Sequence, residues 1–390
     1  MQKIYLDNNA TTPVRPEVMD AMLPFFREDF GNPSSVHWAG SNVRKAVNKA
    51  REQVAALVNC SPSEVVFTSG GSESINTAIK GIATAQHEDG NHCISTMVEH
   101  PAVFNSVRHL EKQGFKATFL GVDGDGMLDL DQLEAAVTDK TILVSAMYAN
   151  NETGVIFPIR EIGEIAKIKG IRFVCDTVQA VGKIPLDFKN LAVDTITISG
   201  HKLHGPKGIG ALIIKSGLRI PPLIHGGPQE KNRRAGTENV PGMVGLGKAC
   251  EIARNDLERE VTRIRPLRDD LEKGILTAIP EVKINGHREK RLPNTLNISF
   301  KGVYMEQLLA EFDRSGLAVS AGSACSAESR EVSRVLTAMS LDSATARSTI
   351  RFSLGRENTR NDIDYVLTLL PPLIERLRCE RRLHSGQTDI

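Results

Sequence analysis

Across residues 62–212, short runs of β-branched and apolar residues alternate with stretches in which apolar positions recur every three or four residues. The runs suit buried strands and the stretches have the 3.6-residue period of a helix, so their alternation predicts a parallel sheet covered by helices. Strands are expected at 65–68, 92–96, 117–120, 142–147, 172–175, 195–199 and 210–214, with helices near 72–84, 102–112, 130–137 and 159–169. Ligands of such sheets bind outside the carboxyl ends of the strands, which makes the residues just after each strand the first candidates for chemistry. After Asn239 a helical stripe follows (Leu246, Cys250, Ala253, Leu257, Val261, Ile264), and Pro266 is expected to break it and open a second helix at a domain transition. Beyond it, strands at 296–300, 317–320 and 348–353 mix with helices at 304–314, 331–338 and 359–376, as in a smaller α/β domain. The polar residues 387–390 read as a frayed tail.

Composition narrows the function. The 390 residues, 41% of them apolar, are enough for two or three domains with a substantial core. Lys and Arg (48) nearly balance Asp and Glu (47), so no global field gathers nucleic acid or an anionic membrane. No apolar stretch approaches the roughly 18 residues of a membrane span, and the first residues show no signal-peptide core, so a cytoplasmic protein is expected. Six cysteines (Cys60, Cys93, Cys175, Cys250, Cys325, Cys379) stand far apart without a Cys-x-x-Cys pair, which points to neither a zinc site nor a disulfide framework.

Three strand ends carry candidate chemistry. Ser69-Gly70-Gly71-Ser72 follows the strand at 65–68 and opens a helix, offering backbone N–H groups and a hydroxyl to an anion, although Gly-Gly-Ser is also ordinary loop chemistry with a serine cap. Without a Walker sequence or a spaced Gly-x-Gly-x-x-Gly, a phosphorylated cofactor other than a nucleotide fits better. Asp176 follows the strand at 172–175, with Gln179 after it, and can be a helix cap or the partner of a cationic ring nitrogen. Lys202 follows the strand at 195–199 inside Ser199-Gly200-His201-Lys202. An aspartate and a lysine at strand ends of one sheet are what a pyridoxal phosphate enzyme needs, the lysine for a Schiff base and the aspartate for the pyridine nitrogen. Cys325 lies in a run of small residues, Gly322-Ser323-Ala324-Cys325, which suits an accessible, pliable thiol that carries sulfur. Cys93, Cys175 and Cys250 read as buried small hydrophobes. In 348–353, alternation sets Arg351 opposite Ile350 and Phe352, either as an exposed-face arginine or as a bidentate grip for a carboxylate.

With these in place the sequence resembles the cysteine desulfurases of the NifS/IscS type. The resemblance runs through Tyr5-Leu6-Asp7-Asn8-Asn9-Ala10-Thr11-Thr12, Phe30-Gly31-Asn32-Pro33-Ser34-Ser35, Glu99-His100-Pro101-Ala102-Val103, Asn150-Asn151-Glu152-Thr153-Gly154, Ser199-Gly200-His201-Lys202, Arg234-Ala235-Gly236-Thr237-Glu238-Asn239 and Gly322-Ser323-Ala324-Cys325. It implies a fold-type I transferase: a large domain (15–260) with a mainly parallel seven-stranded sheet, and a smaller α/β domain (1–14 and 261–390) carrying the cysteine loop. Lys202 is then the Schiff-base lysine, Asp176 the partner of the pyridine nitrogen, Gln179 of the ring hydroxyl, and His100 the ring-stacking proton mover. The resemblance gives the phosphate to Gly71, Ser72, Ser199 and His201, and assigns Thr237 to the phosphate of a neighbouring subunit, hence a homodimer. It likewise implies that Asn151 contacts cofactor and substrate and that Arg351 holds the substrate carboxylate.

The implied reaction takes L-cysteine to L-alanine through a pyridoxal 5′-phosphate aldimine and a persulfide on Cys325. The sulfur goes to an iron–sulfur scaffold or another acceptor, with nitrogenase maturation as one outlet. No resident metal is implied, only a transient iron–sulfur contact at Cys325. A selenocysteine lyase or an aminotransferase on the same fold are the alternatives. Val174 and Thr177 depart from the family's usual His and Ala, Ser72 from its usual Thr, and 329–336 lacks its usual Glu-Pro pair.

Overall fold

The computed structural model describes residues 3–322 and 332–385. Among them twelve strands form three sheets. The first strand, β1 (Ile4–Tyr5), belongs to a small pair; the next seven, β2 (Val65–Thr68), β3 (His92–Thr96), β4 (Lys116–Leu120), β5 (Thr141–Met147), β6 (Arg172–Asp176), β7 (Thr195–Ser199) and β8 (Gly210–Ile214), build the large sheet in the order β2-β8-β7-β6-β5-β3-β4. All the predicted strands of this region are present. The sheet is parallel except for β8, which runs antiparallel to both β2 and β7. Alternate residues of its strands point to opposite faces. Val65, Phe67, Phe173, Cys175, Ala211 and Ile213 join one apolar cluster with Val43, Val47 and Leu246 of two covering helices. Val66, Val174 and Leu212 join another with Ile75, Ile79 and Val103.

The helices Gly71–Ala85, Pro101–Glu111, Leu130–Ala136 and Ile159–Lys169 match the expected ones. The helix Trp38–Val58 was not anticipated, although Val43, Val47, Ala50, Val54 and Val58 form its buried stripe. A second departure concerns Pro266. The chain runs as one helix over Val240–Ala278 with this proline inside it. Pro266 is exposed, so the carbonyl it leaves without an N–H partner can turn to water while Ile264, Arg268 and Leu271 stay packed.

The smaller antiparallel sheet comprises β9 (Val282–Ile284), β10 (Thr295–Phe300) and β12 (Thr349–Ser353) in the order β12-β10-β9, while β11 (Leu317–Ala318) pairs with β1. The expected strand at 317–320 continues beyond β11 only as an isolated bridge from Ser320 to Arg351. The last helix, Arg360–Ser385, extends past the predicted end with Pro371 and Pro372 inside it. Its Ile363, Val366, Leu370 and Ile374 pack with Ile4, Leu6, Leu271, Leu296 and Phe352 in a separate core, so the amino-terminal strap is held against the carboxyl-terminal elements.

Candidate active site

Because β2, β3, β5, β6 and β7 run the same way, their carboxyl ends open on one edge of the large sheet. There they surround a cavity of 480 Å³, a size suited to a small-molecule site. Ten of the twelve sequence-predicted residues line it: Gly71 and Ser72 after β2, His100 after β3, Asn151 after β5, Asp176 and Gln179 at β6, Ser199, His201 and Lys202 at β7, and Arg351 from β12. Of the other two, Thr237 is exposed and lines no part of this cavity. Cys325 lies outside the described residues.

At one end the helix Gly71–Ala85 starts against the cavity. Its cap is Gly70, at φ 153°, and no side chain caps the helix. The earliest helical bond runs from the Ser74 N–H to the Gly70 carbonyl, leaving the amides of Gly71, Ser72 and Glu73 without an acceptor among the described residues. Such a terminus favours an anion. A Cβ on Gly210 would lie 2.7 Å from Gly70 Cα and 2.5 Å from the Ile198 carbonyl oxygen, so the turn closes only over a bare backbone. His201 pairs with Thr11 Oγ1 at 3.1 Å. Burial, followed by the charges of Lys202, Lys207 and Lys183, pushes its ring down to about 4, so near neutral pH it meets an anion as a neutral hydrogen bonder.

At the centre, Asp176 is buried and Oδ1 accepts from both the Val178 N–H (2.9 Å) and Thr197 Oγ1 (3.1 Å), leaving Oδ2 for a ring nitrogen. No helix directly follows Asp176, so it is not a helix cap; the bond to Val178 instead ties it to the turn at 178–183. His100 likewise has two roles in its geometry. It caps the helix Pro101–Glu111, its Nδ1 accepting from the Ala102 N–H at 3.1 Å, which fixes the neutral ring with its proton on Nε2. Burial lowers its pKa, opposed by Asp176 and aided by Lys202 and Arg334. Just before it, Glu99 accepts from the Met147 N–H (2.8 Å) and Thr96 Oγ1 (3.0 Å), and burial, with Asp176 nearby, pushes its carboxyl up to about 8. Glu99 therefore holds a proton at neutral pH beside Asp176. Thr177, one of the departures from the family pattern, donates its hydroxyl to the Thr197 carbonyl at 2.6 Å, and Val174 is buried in the helix-covered face.

Lys202 follows β7 in a single 3-10 turn. Its Nζ donates to the carbonyls of Asn9 and Ala10, the latter at 2.7 Å. At the far end, Arg351 is only 1% exposed, so alternation did not leave it on an open face. The amino-terminal strap covers that face: Asp7 bridges to Ser353, and the Asn9 N–H donates to Ser353 Oγ at 2.9 Å. The Arg351 guanidinium donates through Nη1 to the Asn151 carbonyl (2.9 Å) and through Nη2 to Asp7 Oδ1 (2.6 Å), while its buried Nε has no partner among the described residues.

Sequence reasoning missed Asp7, Asn9, Ala10, Glu99 and Lys183 as site residues. The strap motif was visible, but contacts between residues hundreds of positions apart leave no periodic signal. The buried thiols Cys93, Cys175 and Cys250 agree with their reading as small hydrophobes, and burial raises the pKa of each.

A helix terminus with no side-chain cap, an aspartate with a spare oxygen, a lysine at a strand end and a buried guanidinium form a donor set that fits a phosphorylated pyridinium aldehyde with an amino acid beside it. The comparisons agree. The class-V aminotransferase family matches residues 4–366. The chain is 54% identical to "Cysteine desulfurase 2" of Trichormus variabilis over 389 residues, which cover 100% of this chain and 97% of that protein. Among solved structures, a "NIFS-like protein" superposes with a TM-score of 0.90 at 39% identity, covering 96% of this chain and 99% of that one. "SspA in complex with cysteine" gives 0.80 at 35% identity, covering 90% and 99%. The chain thus belongs to the class-V aminotransferases, fold-type I pyridoxal-phosphate enzymes, and among them to the cysteine desulfurases of the NifS/IscS type.

Proposed function

We propose that this enzyme takes sulfur from L-cysteine, releasing L-alanine, with Lys202 as the residue that holds the cofactor and Cys325 as the residue that receives the sulfur. The observation that carries the reading is the convergence of Lys202, Asp176, His100 and Arg351 on one cavity from four separate elements. Pyridoxal 5′-phosphate held there supplies a carbonyl for the substrate amine and a protonated ring that takes up the electron pair left at Cα. The chain's own residues do the rest. Gly71, Ser72, Ser199 and His201 hold the phosphate, Asp176 keeps the ring nitrogen protonated, and Gln179 faces the ring hydroxyl. Arg351 fixes the substrate carboxylate, and Asn151 contacts both cofactor and substrate. Once free, the Lys202 amine moves the Cα proton, and the Nε2–H of the neutral His100 ring hydrogen-bonds the substrate sulfur. Cys325 as thiolate then attacks that sulfur: the S–S bond of a protein persulfide forms as the Cβ–S bond breaks, the electron pair stays with carbon, and a proton taken up there completes alanine.

Thr237 supports a homodimer in which each subunit completes the other's phosphate site, since it is exposed and away from its own cavity. The exposed Phe26, Phe30, Val36 and Trp38 give a second copy an apolar surface to cover. The sulfur passes to an iron–sulfur assembly scaffold or a comparable acceptor. We place the reaction in the cytoplasm, where thiols such as the five described, all free, stay reduced; among the described residues no helix is long and apolar enough to cross a membrane. Nothing in the comparisons favours selenocysteine or a nitrogenase outlet.

The test is product analysis with cysteine as sole substrate. Alanine formed without any added keto acid is expected. Deaminated product together with an aminated cofactor would instead indicate an aminotransferase.

A further inference from the structure

Beneath the cavity, Lys183 makes contacts that the reaction above does not use. It lies at the wall of a second, narrower cavity behind Lys202 and donates from Nζ to two amide oxygens, Gln179 Oε1 at 2.5 Å and Asn9 Oδ1 at 3.1 Å. The other end of the Gln179 amide is fixed as well: Nε2 donates to the Asn9 backbone carbonyl at 3.0 Å. A backbone carbonyl only accepts and an ammonium only donates, so each partner of Gln179 admits one end of the amide and rejects the other. The side chain is locked with its oxygen on Lys183, and the second hydrogen of Nε2 is the N–H it has left for the cavity it lines. A cation on an amide oxygen also draws electron density from the nitrogen and strengthens the remaining N–H as a donor.

We propose that Lys183 is a positioning residue that acts through Gln179, fixing its amide against a flip so that Nε2 donates to an anionic oxygen of the bound cofactor. This rests on the reading that Gln179 faces the ring hydroxyl. Asn9 belongs to the same lock, because its Oδ1 also accepts from Asn294 Nδ2 (3.1 Å) while its Nδ2 donates to Thr295 Oγ1 (2.9 Å), which ties Gln179 to the small sheet. Burial, with Lys202 and Arg351 as the next causes, pushes the Lys183 pKa well below the usual amine range; the two oxygens it donates to act in the opposite direction.

The experiment is a pH titration of the cofactor's absorption band in holoenzyme carrying Lys183→Met, Gln179→Ala or both. A donor on the ring oxygen favours its anion and eases proton loss from the adjacent imine nitrogen, so weakening that donor raises the midpoint. Lys183→Met is expected to raise it by roughly half a pH unit or more, the scale of a charge-assisted bond reduced to a neutral one. Gln179→Ala is expected to raise it at least as far, and the double variant no further than Gln179→Ala alone. Lys183→Arg keeps a cationic donor and should restore part of the shift, which serves if the methionine variant loses the cofactor. If Gln179→Ala shifts the midpoint and neither lysine variant does, the proposal fails and the reading of Gln179 stands. An unmoved midpoint in Gln179→Ala defeats that reading itself. Equal shifts from Lys183→Met with and without Gln179 would show the lysine acting as a bare charge, which also overturns the proposal.

Discussion

Replacing Arg351 by Met removes the guanidinium at nearly constant volume from a site where it is 1% exposed. Two of its contacts are internal, Nη1 to the Asn151 carbonyl and Nη2 to Asp7. The unpartnered Nε and the remaining Nη hydrogens are left for a substrate carboxylate. Two charge-assisted hydrogen bonds at about 1.5–3 kcal/mol each amount to roughly 3–6 kcal/mol. At about 1.4 kcal/mol per decade, kcat/KM for cysteine should fall by about 10²–10⁴-fold. A carboxylate grip acts on ground and transition states alike, so most of the loss should appear in KM. Arg351→Lys, which keeps a charge without the planar fork, should fall between the two. Steady-state kinetics check this, with thermal melting to confirm folding, because Asp7 loses its only ion-pair partner among the described residues. Binding of cysteamine, which lacks the carboxylate, should be unchanged. A kcat/KM within about threefold of native, or equal losses for cysteine and cysteamine, would refute the assignment of Arg351 to the carboxylate.

Three further outcomes follow from the same geometry. Glu99 has its pKa raised to about 8 by burial and Asp176, so the folded chain holds a proton that the unfolded chain gives up. Stability should therefore decline as pH rises from about 4.5 to 8, and Glu99→Gln should flatten that decline in melting curves; a parallel decline in the variant would argue against a protonated Glu99. His100 titrates below its usual value because it is buried, so the acid limb of the activity profile should lie below pH 6.5 and disappear in His100→Asn, which keeps a helix cap. Gly210→Ala places a Cβ against both the Ile198 carbonyl and the backbone at Gly70, so β7 and the anion turn must both give way. It should cost about 1–3 kcal/mol of stability and loosen cofactor retention on dialysis, whereas tight retention would show that the turn is not the phosphate site.

The large sheet was legible because its strands are short, nearly uninterrupted apolar runs, and the strand-end rule then located Asp176 and Lys202. The antiparallel run of β8 was not legible, since the run Gly210–Ile214 is equally apolar in either direction. Pro266 misled because a proline inside a helix reads as a stop unless its exposure is known. Arg351 shows the same limit for strands: alternation gave its side, but only the returning strap of Asp7 to Asn9 explains why both sides of β12 are buried. Lys183 had no signal, because its partners Gln179 and Asn9 come together only once the strap lies across the large sheet.

The central claim is that sulfur from free cysteine comes to rest on one cysteine of this chain. Mass analysis of the holoenzyme after brief incubation with L-cysteine, followed by digestion under non-reducing conditions, tests it directly. A gain of one sulfur on the peptide containing Cys325, absent in both Cys325→Ala and Lys202→Ala, is the predicted result. A gain on a different cysteine, or an unmodified Cys325 in enzyme that is turning over, would contradict the account.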